Sequence, residues 1–268
     1  MSDTTQQSSA NALRALVICP DPQPDVPALS RRLPLVLTPF LGKTVLDHAL
    51  TFLAAGGVRD VRLLCSDRPD VIRAAVGGGE EWGVKVEVHA EKRELTVAEA
   101  LAKHGNPVDA APHAFVLDRL PQMPGAPLWD DYEGWMRAML ELLPVAGLDR
   151  VGSREMSPGV IVGLRSRISP TARLIGPCWV GANAFVGPKA TLGPNTVVGD
   201  GAYIEGEALV ERSVVGPDTY VGAMTEVRNS FAWGRQLLNL LNGSCIEISD
   251  RFLLHDLKPD LSIPGRMT

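Results

Sequence analysis

The chain is short of several things, and each shortage excludes a class of protein. Its 4 cysteines, Cys19, Cys65, Cys178 and Cys245, stand far apart, with neither zinc-ligand spacing nor a disulfide framework. That usage fits a reducing cytoplasm. Aromatics are scarce, with 5 Trp, 3 Tyr and 6 Phe in 268 residues, although 45% of the chain is hydrophobic. The core must therefore be built from Val, Leu, Ala and Ile. Basic residues are outnumbered, 26 Lys and Arg against 31 Asp and Glu, for a net charge of −5. Without a basic surplus to neutralise phosphates, neither nucleic acid nor an anionic membrane is an expected partner. No apolar run reaches the roughly 18 residues of a membrane-spanning helix. The opening MSDTTQQSSANALR lacks the basic and apolar regions of a signal peptide, so residues 1–13 read as a polar tail.

Glycine and proline, by contrast, are plentiful at 26 and 21, which implies frequent turns. The turns are periodic. From Ile168 an aliphatic residue returns every six positions, at Leu174, Val180, Val186, Leu192, Val198 and Ile204. The count then slips by one and resumes at Leu209, Val215, Val221, Val227 and Trp233. Four residues after each inward position stands a small residue, as in Ala172, Cys178, Ala184, Ala190, Thr196, Ala202, Ala208, Ser213, Thr219 and Thr225, with Phe231 as the exception. Glycine commonly follows the aliphatic residue, and Gly, Asn or Asp supplies the freedom a corner needs. A six-residue period fits neither a helix nor a simple alternating strand. It fits a triangular coil, with three hexads to a turn and four turns in all, about 19 Å tall at the usual strand spacing. The pattern resembles the hexapeptide-repeat, left-handed parallel β-helix family, and the handedness is what the resemblance implies.

The first half has another grammar. ALVIC (15–19), VRLLC (61–65), VKVEVH (84–89) and AFVL (114–117) read as strands. TVLDHALTFLAA (44–55), a segment after Ser66-Asp67 that contains Pro69, TVAEALAKH (96–104) and DDYEGWMRAMLELL (130–143) read as helices. Alternation of this kind predicts a mostly parallel sheet covered by helices. The expected organisation is a tail over 1–13, an α/β domain over 14–150, a linker over 151–167, the β-helix over 168–234, and a capping helix (235–243) with a tail to 268.

An α/β domain before a hexapeptide prism is similar to the sugar-1-phosphate nucleotidyltransferases. The resemblance is carried by LPLVLTPFLGKTVLDHALTFLAAGGVRDVRLLC, with Pro34, Pro39, Gly42, Lys43, Leu46 and Gly57 in the family's pattern. It implies a shortened Rossmann-like nucleotidyltransferase domain. It also implies a phosphate loop of the form Gly-x-Gly-Thr-Arg, where this chain has Asp21, Pro22, Gln23, Pro24 and Asp25. Both glycines are gone, prolines remove N–H donors, and two carboxylates would repel a triphosphate. The family's lysine falls on Leu35, with Arg31 and Arg32 close by. The nucleotide-contacting motif falls on Leu95-Thr96-Val97-Ala98-Glu99-Ala100-Leu101, again without its glycines. Its magnesium-binding Asp is displaced to Asp118, which taken alone reads as a cap or a solvated turn.

The expectation is a catalytically degenerate member without a cofactor, acting as a regulatory or scaffold subunit in nucleotide-sugar or polysaccharide metabolism. Its partners would be further copies of itself or an active relative, and a sugar phosphate or nucleotide sugar its small-molecule ligand. An active enzyme would instead use Arg31, Arg32 and Lys43 on the phosphates and Asp118 on magnesium. A third option is an acyltransferase working from the prism. None of the histidines, His48, His89, His104, His113 and His255, lies within 168–234. That excludes a zinc site on the coils, and His255, beyond the prism, reads as a surface residue after a cap, with folding back as the alternative.

Overall fold

The computed structural model describes residues 13–105, 113–123, 125, 127–146 and 152–258. The chain forms two compact units, one of 1–38 with 44–129 and the other of 39–43 with 130–268. Among the described residues no helix is long and apolar enough to cross a membrane.

The first unit is an α/β layer. Strand β1 (Leu13–Ile18), helix α1 (Val45–Ala55), β2 (Val58–Cys65), α2 (Pro69–Val76), β3 (Lys85–Ala90), α3 (Val97–His104) and β4 (His113–Val116) follow in order. The four strands are parallel in the order β3-β2-β1-β4. Each helix start has a local cause. Thr44 accepts from the Asp47 N–H at 3.1 Å while Asp47 accepts from the Thr44 N–H at 2.8 Å. Thr96 and Glu99 make the same reciprocal box on α3. α1 then buries Val45, Leu46, Ala49, Leu50 and Leu53. α3 is less amphipathic than its letters suggest: only Ala100 is buried, while Val97 and Leu101 are 37% exposed. The cap expected of Ser66-Asp67 does not form. Arg68 takes the N-cap position with φ 43° and Pro69 opens α2, and Asp67 pairs with the Arg68 guanidinium at 2.8 Å.

The second unit is a parallel β-helix with three walls. One wall runs from Val160–Val162 through Cys178–Val180, Thr196–Val198 and Val214–Val215 to Ser230–Trp233. A second stacks Arg167–Ile168, Phe185–Val186, Tyr203–Ile204 and Thr219–Val221. The third holds Arg173–Leu174, Thr191–Leu192, Leu209–Glu211 and Glu226–Arg228. The interior is dry: Val180, Val186, Leu192, Val198, Ile204, Val210, Val215 and Val221 are all 0% exposed. The small positions seal it. The Thr196 hydroxyl donates to the Val210 carbonyl at 3.1 Å and Ser213 to Val227 at 3.2 Å, so these buried hydroxyls are satisfied by the next coil.

Several expectations change in this unit. The ladder begins at Val160, inside the segment read as a linker, because Val160 and Val162 pair with Cys178 and Val180. The inward residue after Ile204 is Val210 and not Leu209, so the six-residue count holds one step longer and the slip falls at the corner around Arg212. A second slip puts Ala232 inside in place of Trp233. The glycines after the inward residues answer to close approach: a Cβ on Gly199 would sit 2.6 Å from the Pro217 nitrogen. Left-handed corners are held by Asn183, Asn195, Gly201 and Asp218, the residue types a corner calls for, and also by Lys189, at φ between 49° and 68°.

The capping helix expected over 235–243 is a strand. Gln236–Asn239 returns antiparallel to Ser230–Trp233 through a two-residue turn at Gly234-Arg235, and Cys245–Glu247 adds to it. The hairpin turn wins because Gly234 supplies φ 60° where the strand must reverse. The helix expected to close the α/β domain spans Tyr132–Ala146 (α4) and belongs to the second unit, where Trp135 meets Phe231 at 5.0 Å between ring centroids. Leu13 opens β1, and the rest of the polar tail lies outside the described residues.

Candidate functional site

In an open parallel sheet, ligands gather at the carboxyl ends of the strands, at the point where strand order reverses. Here that point flanks β1, which has β2 and β3 on one side and β4 on the other. The segment leaving β1 carries Asp21 and Gln23. Cys19 continues the ladder, its N–H donating to Leu64 at 2.9 Å. Its Sγ lies 3.3 Å from that of Cys65 at the end of β2. The neighbouring Cys65 thiol and burial push the Cys19 thiol well above its ordinary range, so it is no thiolate nucleophile.

Asp21 then closes the edge. Its N–H donates to the Glu94 carboxylate at 2.8 Å, and the Glu94 N–H donates back to the Asp21 carboxylate at 3.2 Å. The Ser66 hydroxyl donates to the other Asp21 oxygen. One side chain thus ties the segment after β1 to the segments after β2 and β3. Gln23 adds a bond from its amide to the Asp21 carbonyl at 3.0 Å. The backbone donor that a phosphate would need is already held by a carboxylate of the same chain.

Asp25 and Arg31 are exposed, Arg32 is half-buried, and Leu35 is fully buried in a 3-10 turn. Lys43 is half-buried and lies immediately before the Thr44 cap of α1. Asp118 follows β4, and both its oxygens accept from Arg119 at 3.1 Å. A carboxylate clasped in this way does not suit magnesium. Among the described residues no three His, Cys, Asp or Glu side chains gather to hold a metal ion. Glu94 was not foreseen from the sequence; its only signal was its place just past a strand, two residues before a capping threonine.

The second unit brings a histidine to a wall of the prism. His255 does fold back. Leu254–Asp256 pairs antiparallel with Thr219–Val221, and the His255 ring meets Tyr220 at 4.4 Å between centroids. It ends a stack that continues to Tyr203 and Phe185. Its Nδ1 lies 2.7 Å from the Arg251 carbonyl. A carbonyl only accepts, so Nδ1 is the donor in this bond, which orients the ring.

No known family matches the chain, and no curated protein does. Among solved structures, it is similar to a mutant perosamine N-acetyltransferase from Caulobacter crescentus in complex with CoA and GDP-perosamine, with 13% identity over 83% of this chain and 94% of that one and a TM-score of 0.20. The β-helix is established by the strand pairings themselves.

Proposed function

We propose that the protein is a catalytically silent relative of the sugar-1-phosphate nucleotidyltransferases, serving as a regulatory or scaffold subunit in nucleotide-sugar or polysaccharide metabolism. On this reading the β3-β2-β1-β4 sheet is a shortened nucleotidyltransferase domain, and the prism is the left-handed hexapeptide form. The observation that carries it is the Asp21–Glu94–Ser66 staple. A phosphoryl transition state needs preorganised donors where charge develops, and here the Asp21 carboxylate and the Glu94 carboxylate beyond β3 satisfy each other's backbone N–H groups. Nucleoside triphosphates with glucose-, mannose- or N-acetylglucosamine-1-phosphate should release no pyrophosphate. Turnover lost on Asp118→Ala, or on Arg31→Ala with Arg32→Ala and Lys43→Ala, would favour an active enzyme with a rearranged loop.

A subunit with this role must assemble. The C-terminal stretch leaves Phe252 83% and Ile246 55% exposed, which suits a contact with a further copy or an active relative. Sedimentation should show a dimer or trimer at micromolar concentration, weakened by Phe252→Ser with Ile246→Ser. A monomer that recovers no partner would reject the scaffold role.

A second reading, acyl transfer from the prism, rests on His255, whose ring is oriented by the Arg251 carbonyl and by Tyr220. Acetyl-CoA should then raise the unfolding temperature, and His255→Asn should abolish transfer to an amino sugar. No shift and no transfer would remove this reading.

A further inference from the structure

Helix α4 and one corner of the prism, both in the second unit, enclose a groove of about 260 Å³. The corner is the one where the six-residue count slips. Asn195, Arg212 and Asn229 occupy it on three successive coils, at φ 54°, 49° and 47°. The Arg212 N–H donates to Pro194 at 3.0 Å and the Asn229 N–H to Glu211 at 3.2 Å, which holds the three in a column. At one strand spacing per coil the two asparagines stand about 10 Å apart. Arg137 faces this column from α4. Among the described residues, the side chains of Arg137, Arg212, Asn195 and Asn229 have no hydrogen-bond or ion-pair partner. Two forked guanidinium groups on different walls of a concave site match an oxyanion. The amides of the column can bond hydroxyl groups, as can the Glu133 carboxylate. Met136 and Leu140 give the groove an apolar side for carbon atoms.

We propose that this groove binds a small polyol phosphate, with Arg137 and Arg212 clasping the phosphate and Asn195, Asn229 and Glu133 reading the hydroxyls. Size decides against larger ligands. Pockets for drug-sized molecules run from roughly 300 to 1,000 Å³, so this groove is too small for a dinucleotide or a coenzyme A. It suits a phosphate ester of a few carbons. Arg212 is carried by a coil and Arg137 by α4, so a bound phosphate bridges the helix to the prism and stabilises the unit by mass action. The inference uses the second unit alone. It stands or falls separately from the silent phosphate loop at the sheet edge.

Isothermal titration of the full chain with glycerol 3-phosphate, inorganic phosphate and glycerate tests it, with thermal unfolding followed in parallel. Glycerol 3-phosphate should bind saturably and raise the unfolding temperature, inorganic phosphate should bind more weakly, and glycerate weakest. Arg137→Ala and Arg212→Ala should each weaken glycerol 3-phosphate by about tenfold, the loss of one charge-assisted bond. Asn195→Ala should weaken glycerol 3-phosphate and leave inorganic phosphate unchanged. Both arginines are exposed, so these variants should keep the far-UV circular dichroism of the parent; Arg212→Lys, which keeps the charge and loses the fork, gives an intermediate affinity. Unaltered binding in the Arg137→Ala, Arg212→Ala double variant would overturn the proposal. So would the absence of saturable binding by all three probes. Glycerate binding tighter than glycerol 3-phosphate would overturn the assignment to phosphate.

Discussion

Both units of this chain are built on parallel strands, yet they hold their polar groups differently. In the prism, polarity is internal and repeated: Thr196 and Ser213 each bond a carbonyl of the following coil, and aliphatic residues fill the rest. In the sheet unit, polarity sits at the edge and is irregular. Capping boxes at Thr44 and Thr96, the Asp21 staple, and Glu91 between Lys103 and His104 do different jobs at different places. A repeat makes every coil the environment of the next, so an internal error is felt by its neighbours on both sides. An edge network is local, and its failure should stay local.

The largest expected effect is inside the prism. Val186 lies between Ile168 and Ile204 in one inward column. An unpaired carboxylate there costs several kcal/mol, so Val186→Asp should unfold or aggregate the second unit. A soluble variant with unchanged far-UV circular dichroism would break the assigned register. Next comes the sheet edge. Asp21→Ala strips two hydrogen bonds, those from the Ser66 hydroxyl and the Glu94 N–H, and keeps the backbone bond from position 21 to the Glu94 carboxylate. A loss of about 1–3 kcal/mol confined to the first unit is expected. Limited proteolysis should find cleavage there while residues 160–233 stay protected.

Titration should separate the units by pH. Arg93 and the Thr96 cap hold the Glu99 carboxyl down at about 2, and Lys103 likewise lowers Glu91. Groups depressed on folding stabilise above their unfolded value, so acid should loosen α3 progressively from near pH 4.5 toward 2. The prism lacks this acid sensitivity and has an alkaline one, which the sheet unit shares through the buried Cys19 thiol. Burial pushes the Cys178 thiol up to about 12 from 9.0, so its contribution is lost as the pH climbs from about 9 toward 12. Circular dichroism and proteolysis at pH 3 and pH 10 should show the sheet unit yielding first in acid. The smallest effect belongs to Lys189→Asp. Lys189 is an exposed left-handed corner paired with Glu207 at 2.9 Å, a surface pair worth at most about 1 kcal/mol. Its unfolding temperature should barely move, the counterpart of Val186→Asp only three residues away.

The sequence was most legible where physics repeats. Inward residues, small sealing positions and corners recur at one spacing, so the prism could be read from the letters. Errors came where two apolar residues stand side by side. Leu209-Val210 and Ala232-Trp233 each offer two candidates, and the interior takes the one that fits the column. In RQLLNLLNG the apolar spacing suits a helix as well as a strand, and only pairing with Ser230–Trp233 settles it. At the sheet edge, the absence of loop glycines was plain. The partner that fills the loop's place was not, because Glu94 lies 73 residues from Asp21.

By itself, then, the sequence determined whatever depends on a residue and its near neighbours. That includes the six-residue coil, the capping boxes at Thr44 and Thr96, the alternation of strand and helix, and a segment after β1 without glycine. Tertiary structure decided what depends on long-range contact. It assigned α4 to the prism's unit, brought His255 back against Tyr220, closed Asp21 on Glu94, and set Arg137 opposite Arg212. The physical reason is the same in each case. Local hydrogen bonds and periodic burial are written within a few residues, whereas the partner of a polar or aromatic side chain is set by which surfaces the folded chain brings together.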